Sequence, residues 1–263
     1  MSLIGHVESL WRYPVKSMRG EKLESAFIGF SGVYGDRLYA FQNSAAPAGF
    51  PYLTGRELEQ MLLHQPRFRH PDKALCPPNL AEAEHLAPGL TPVYPAFADL
   101  IVDVETPDGG LLAIDSPDLS ERLRKSSETA GELTLLRSDR AMTDCRPVSL
   151  ISTQTVGALS GEVGRTLDQR RFRANVYVDL VAAAGSAEDA FVGRRVKLGA
   201  KAVISVLERD PRCKMITLDP DTGQSSPEVL ERVAKAHEGR VGVYGAVLIE
   251  GMVRPGDEVT LLN

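Results

Sequence analysis

Cysteine is scarce: the 263 residues hold only Cys76, Cys145 and Cys213, widely spaced and without a Cys-x-x-Cys pair. That excludes a disulfide framework and a four-cysteine zinc or iron–sulfur site, so each thiol must be judged singly. Histidine is equally sparse. His6, His64, His70, His85 and His237 show no metal-ligand spacing and read as surface or strand residues. A Walker loop and a G-x-G-x-x-G turn are both missing, which removes nucleotide and dinucleotide binding, and no nucleophile triad can be assembled. No window approaches the ~18 apolar residues of a membrane span, and the start, Met1 to Glu8, lacks a basic segment followed by an apolar one. The expectation is a cytoplasmic chain with no membrane partner. Excess basic charge is lacking as well: the formal net charge is −5 with no basic run that stands out, so nucleic acid is not an expected partner.

What is present is an average globular composition, 43% hydrophobic and 25% charged, on a length suited to one large or two ordinary domains. The first half reads as short strands punctuated by turns: Gly5 to Tyr13, Arg37 to Phe41 after a Gly-Asp turn, and Leu100 to Val104 before Pro107-Asp108-Gly109-Gly110. Residues 70–97, rich in proline, read as an irregular connection. Ser116-Pro117-Asp118 starts a surface helix reaching about Ala130, and a second helix is expected from about Gln154 to Glu162 after the apolar strand Val148–Ile151. Ser226-Pro227-Glu228 repeats the cap-and-proline start of a helix running to about His237, with Gly239 as the stop. Further strands are expected over Arg173 to Asp179 and Arg195 to Leu207, with Tyr244–Ile249 and Glu258–Leu262 as a closing hairpin. The architecture is mainly β (α+β) with peripheral helices, split near 115–145 into domains 1–120 and 121–263.

Two segments concentrate chemistry. In Glu208-Arg209-Asp210-Pro211-Arg212-Cys213-Lys214-Met215, three cations flank a thiol, and positive charge favours the thiolate that serves as nucleophile or soft-metal ligand. On local chemistry alone Cys213 stays open between that role and a small packing residue. The following Asp219-Pro220-Asp221-Thr222-Gly223 is a turn and reads as scaffold. The second segment, Tyr13-Pro14-Val15-Lys16-Ser17-Met18-Arg19, ends a strand in a proline turn that offers Lys16, Ser17 and Arg19 to an oxyanion, or is simply a polar strand end. Cys76 and Cys145 read as packing residues.

Taken in order, Tyr13-Pro14-Val15-Lys16-Ser17, Gly35-Asp36-Arg37 and Leu53-Thr54-Gly55-Arg56 resemble the β-barrel domain that precedes MOSC domains. Arg171-Phe172-Arg173-Ala174-Asn175, Arg212-Cys213, Asp219 to Gly223 and Pro255-Gly256-Asp257 resemble the MOSC domain itself. This pairing is that of the mitochondrial amidoxime-reducing components and their bacterial relatives. The resemblance implies an N-terminal β-barrel-like domain, then a MOSC β-barrel domain, with a molybdenum cofactor (Mo-molybdopterin) in the cleft between them. It implies Cys213 as catalytic thiolate and metal ligand, with Lys16, Ser17 and Arg37 holding the pterin and phosphate from one side and Arg173, Asn175 and Tyr244 from the other. The family often has cysteine where Met18 stands, a position that is not the metal ligand.

The activity so implied is reduction of small N-hydroxylated substrates such as amidoximes, hydroxylamines or N-hydroxylated bases. The chain ends at Asn263 with no ferredoxin-type cysteines, so a separate electron-donor protein, ferredoxin-like or a flavin reductase, is expected. A rival is a non-catalytic carrier of the cofactor, or of sulfur on Cys213. A third reading is a β-barrel module binding some other phosphorylated ligand.

Overall fold

A computed structural model describes residues 2–85, 96–181 and 183–262. Its largest element is a closed barrel which, among the described residues, has seven strands. Six come from the C-terminal part: β10 (Val148–Ser152), β11 (Val176–Leu180), β12 (Arg195–Leu198), β13 (Ala202–Pro211), β14 (Arg240–Ile249) and β16 (Glu258–Leu262). The seventh is β1 (Ser2–Arg12), which pairs with β11 through Gly5 to Leu10 and with β16 through Ser2 to His6, shutting the ring. Register shifts along β1, between Leu3 and Gly5 and between Val7 and Ser9, bend it to serve both neighbours, as bulges do where sheets close. Gly5 is needed there. A Cβ at that position would press onto the Asp179 carbonyl oxygen and lie 2.9 Å from Leu180 Cα.

The barrel interior is almost wholly aliphatic, with Val7, Leu10, Val176, Val178, Val196, Ile204, Val243 and Val259 in one buried cluster. β10 is buried throughout and β11 everywhere but at Asp179, because α3 (Thr153–Val163), with α4 (Pro227–Ala236) beside it, covers their outside, where Val156, Leu159, Phe172, Tyr177, Val229 and Val233 form a second cluster. The rest of the N-terminal half forms small sheets: β3 (Ala26–Gly29) between β4 (Gly32–Val33) and β15 (Gly251–Val253), β5 (Tyr39–Asn43) with β9 (Leu133–Arg137), and β7 (Val102–Glu105) between β6 (Gln65–Phe68) and β8 (Leu111–Ala113). β2 (Glu21–Leu23) lies on the end of β1. Their common core uses Phe27, Tyr34, Tyr39, Phe41, Phe68, Met18 and Met61. No helix among the described residues is long and apolar enough to cross a membrane.

Several local expectations are corrected. The closing hairpin does not form: β14 lies between β10 and β13, β15 crosses to β3, and β16 pairs with β1 and β12. The Pro255-Gly256 turn instead docks on β1, where Gly256 N donates to the Val7 carbonyl at 2.7 Å. Arg195 to Leu207 is two strands, broken at Gly199, whose φ of +63° makes a turn. The strand expected from Arg37 begins at Tyr39, and that expected from Arg173 begins at Val176, because both arginines adopt left-handed backbone. Residues 70–97 are less irregular than expected, with a 3-10 turn at Pro71–Ala74 and α1 (Leu80–His85); 86–95 lie outside the described residues. The helix after Ser116, α2 (Pro117–Lys125), stops short of Ala130. Ser116 caps it, accepting from Asp118 N at 3.3 Å, whereas Ser226 makes no such bond to α4.

Candidate functional site

One cleft between the halves, about 710 Å³ with its open mouth, is lined by Cys213 together with Lys16, Ser17, Arg37, Arg173, Asn175 and Tyr244. The seven residues that the resemblance assigns to the site therefore meet, from segments up to about 230 positions apart. Around them stand Arg56, Asp144, Arg146, Ser149, Arg171, Asp210 and Arg212, giving seven cationic side chains against two carboxylates in a chain of net charge −5. Such a concentration of guanidinium and ammonium donors suits an oxyanion.

The N-terminal wall is set by Tyr13 to Met18. Pro14 ends the strand, Lys16 N donates to the Tyr39 carbonyl at 2.8 Å, and Ser17 then turns with φ +64°. Lys16 is buried and its ammonium donates to the Met142 carbonyl at 2.9 Å and pairs with Asp144. Burial lowers its pKa while Asp144 opposes the shift. Arg37, φ +46°, pairs with buried Asp36 and donates to the Arg173 carbonyl at 3.0 Å. Arg19 points elsewhere. It donates to the Pro220 carbonyl at 3.1 Å, beside a separate hollow lined by Trp11.

On the opposite wall, Asp168 caps the 3-10 turn Gln169–Phe172, accepting from Arg170 N at 2.8 Å, and the turn ends on Arg173 with φ +51°. Arg173 donates to the Met18 carbonyl at 2.8 Å. Its guanidinium carbon lies 4.3 Å from the centroid of the Tyr13 ring, against 4.7 Å for that of Arg37, so the two cations share one aromatic ring. Burial pulls the Arg173 pKa down to about 10, and pushes that of Tyr13 up to about 12. The turn Asp219 to Gly223 stays outside the cleft. There Asp219 holds Arg171 at 2.9 Å and Asp221 holds Arg170 at 2.6 Å, which steadies the segment that delivers Arg173.

Non-glycine residues with positive φ are, among the described residues, Ser17, Arg37, Arg173, Ser186 and Glu238. Three of these five line the cleft. Left-handed backbone costs a non-glycine residue about 1–2 kcal/mol, and strain held at one place points from the structure to a site. A second mark is a pair of buried guanidinium nitrogens without hydrogen-bond partners, Arg171 Nε and Arg173 Nη2. Unused donors of this kind fit a phosphate.

Not every residue faces the cleft freely. The Asn175 amide donates to the Trp11 carbonyl at 3.3 Å and accepts from Ser149 N at 3.2 Å, tying β1 to β10. The cations next to Cys213 in sequence are each held by other partners, although Arg212 also lines the cleft. Arg209 binds Glu238 and Asp189, Arg212 binds the Phe172 and Val241 carbonyls, and Lys214 binds the Arg56 carbonyl and Glu59. Most of the positive charge around Cys213 comes from distant segments. Cys213 carries a free thiol at the cap of the 3-10 turn Lys214–Thr217. Cys76 and Cys145 are free as well, and neither lines the cleft. No group of three or more His, Cys, Asp or Glu among the described residues could hold a metal ion alone. Asp144, Arg146, Ser149 and Asp210 were not picked out as site residues from the sequence. Asp210 had the signal of lying beside Cys213, whereas Asp144 had none.

The family models that match are the MOSC N-terminal beta barrel domain, over residues 4–147, and the MOSC domain, over residues 137–260. No curated protein matches. Among solved structures, the YUAD protein from Bacillus subtilis is similar at 13% identity, covering 99% of this chain and 97% of that one with a TM-score of 0.50, a likeness of fold. YiiM from Geobacillus stearothermophilus is similar over 45% of this chain and 55% of its own at 19% identity, with a TM-score of 0.36.

Proposed function

Because the chain belongs to the MOSC family, with the MOSC N-terminal beta barrel domain ahead of a MOSC domain, we propose that its cleft binds a molybdenum cofactor. In this reading the protein reduces N-hydroxylated compounds, among them amidoximes, hydroxylamines and N-hydroxylated bases, with electrons from a separate donor protein. The observation that carries it is the meeting of Cys213 with Lys16, Arg37 and Arg173 in one cationic cleft whose guanidinium donors are partly unused.

The residues present fit the group. Cys213 offers the soft sulfur that a dithiolene-bound metal takes. Lys16, Arg37 and Arg173 hold a phosphate and the polar heterocycle, Ser17 adds a hydroxyl, and Tyr244 lies on the far wall. When bound, the cofactor supplies two-electron oxygen-removing chemistry at its metal. The chain's own part is to orient it: Asp36 fixes Arg37, the Tyr13 ring aligns Arg37 with Arg173, and Asp144 holds Lys16 charged.

Molybdenum and pterin content of protein made in a host that synthesises the cofactor is the test. Stoichiometric metal and pterin, with turnover of benzamidoxime driven by reduced viologen, are expected for the wild type. Cys213→Ser should fold and lose turnover, since a hydroxyl is a hard, rarely ionised replacement. Lys16→Ala and Arg173→Ala should each lower occupancy, as each removes a charge-assisted contact worth about 1.5–3 kcal/mol. Wild type that takes up no cofactor overturns the reading. Loaded protein that hands the cofactor to an apo-enzyme but reduces nothing replaces it with the carrier.

A further inference from the structure

Asp210 lies near the end of β13, three residues before Cys213, and lines the same cleft. It is 1% exposed, and its two oxygens are used unequally. Oδ2 accepts the Ser149 hydroxyl at 2.9 Å and faces Arg212 Nη2 at 2.9 Å, whereas buried Oδ1 has no hydrogen-bond partner. A buried acceptor without a donor is destabilising. If that oxygen carries a proton it becomes a donor, and no hydrogen bond within the chain engages it. A ligand in the cleft would.

The surroundings agree. Burial raises the Asp210 pKa to about 6, Arg212, Ser149 and Tyr244 oppose the rise, and Asp144 adds to it. The arginines, Lys16, Tyr244 and Asp144, which share the cleft, do not offer such a proton near neutral pH. The arginines stay charged. Lys16 is committed to Asp144 and Met142. Burial pushes the Tyr244 hydroxyl well up, and at Asp144 the pull of Lys16 outweighs burial, leaving the carboxyl below its usual range.

We propose that Asp210 holds the proton this cleft delivers, donating it from Oδ1 to the oxygen of an N-hydroxylated substrate as the N–O bond breaks. The inference rests on the reductase reading above. R–NHOH takes two electrons from two molecules of a one-electron reductant such as reduced viologen, and two protons, to give R–NH2 and water. One proton passes from Asp210 to the departing oxygen and the other reaches nitrogen from solvent. Solvent then reprotonates the carboxylate.

Two measurements test this on wild type and Asp210→Asn, which keeps the residue's shape. In cofactor-free protein labelled with 13C-aspartate, one carboxyl carbon should titrate near pH 6 in the wild type and be missing from the variant. In protein of equal molybdenum content with reduced viologen, the variant should turn over benzamidoxime about a hundredfold more slowly at pH 6, the scale of a general acid. It should also lose the wild type's fall in rate at higher pH. Ser149→Ala gives an independent check. Removing the donor to Oδ2 should move both the titration and the pH limb upward. A variant as fast as wild type, or no aspartate carbon titrating above pH 5, overturns the assignment alone. Loaded wild type that reduces no N-hydroxylated compound overturns the reductase reading, and this role of Asp210 with it.

Discussion

The closed barrel and the small sheets of the N-terminal half solve the same problem, satisfying backbone groups in a buried place, by different means. The barrel has no free edges, so its ladders pair almost every strand on both sides and its interior can be aliphatic, with Phe191 the one aromatic of its cluster among the described residues. The N-terminal sheets have short strands whose ends are met by buried side chains. Arg12 donates to the Tyr34 carbonyl at 3.0 Å, Asp36 accepts from Tyr13 N at 2.8 Å, and the Tyr39 hydroxyl donates to the Leu100 carbonyl at 3.0 Å. Rigidity in the barrel thus comes from closure, and in the other half from polar pins. The cleft lies where a pinned loop faces the barrel's end, and both sides supply its cations.

The comparison is broken most severely at a pin. Asp36→Ala leaves the Arg37 guanidinium and Tyr13 N without their carboxylate and should cost about 3–5 kcal/mol. Denaturant unfolding followed by the fluorescence of Trp11, the lone tryptophan, and by far-UV circular dichroism should shift as one transition, because β1 belongs to the barrel while its continuation at Tyr13 carries the pin. Two separated transitions would mean that the halves are energetically independent.

A second test lies in pH. Asp210 has a folded pKa of about 6, raised by burial above its unfolded value near 4, so the folded state binds the proton more tightly. Its contribution to stability is fully present below about pH 4 and is lost as pH rises through about 6. Above that the buried carboxylate costs the fold roughly 2–3 kcal/mol. Asp210→Asn should therefore be the more stable protein at pH 8 and show a smaller gain at pH 4. Equal gains at both would sink the argument.

The smallest effect is expected at Ser17. Glycine accepts φ +64° without strain but adds freedom to the unfolded chain, so Ser17→Gly should gain about 0.5–1 kcal/mol while removing the hydroxyl from the cleft. A loss of stability in thermal melts would show that the turn carries no strain.

The amino-acid sequence by itself determined the element types in most places: the aliphatic alternation of β1, the run Val148–Ile151, and the cap-and-proline start at Ser116. It also held the chemistry of the cleft, in Lys16, Ser17, Arg37, Arg173 and Cys213. These signals are legible because they reside in neighbours along the chain, as periodicity, caps and motifs do. Which strands meet is a different matter. That Ser2–Arg12 closes a barrel built from residues after 147, and that the last strand pairs with the first rather than with β14, depends on pairings across more than 200 positions that no local pattern encodes. The same holds for the electrostatics of Cys213. Its sequence neighbours Arg209 and Lys214 bind elsewhere and Arg212 is held by Asp210 and two backbone carbonyls, while Lys16, Arg37 and Arg173 arrive from afar. Asp210 looks like any acidic residue of a charged segment until folding buries it with one oxygen unpaired. Burial and partner, which set a side chain's proton affinity, are properties of the packed molecule, and only the tertiary structure decided them.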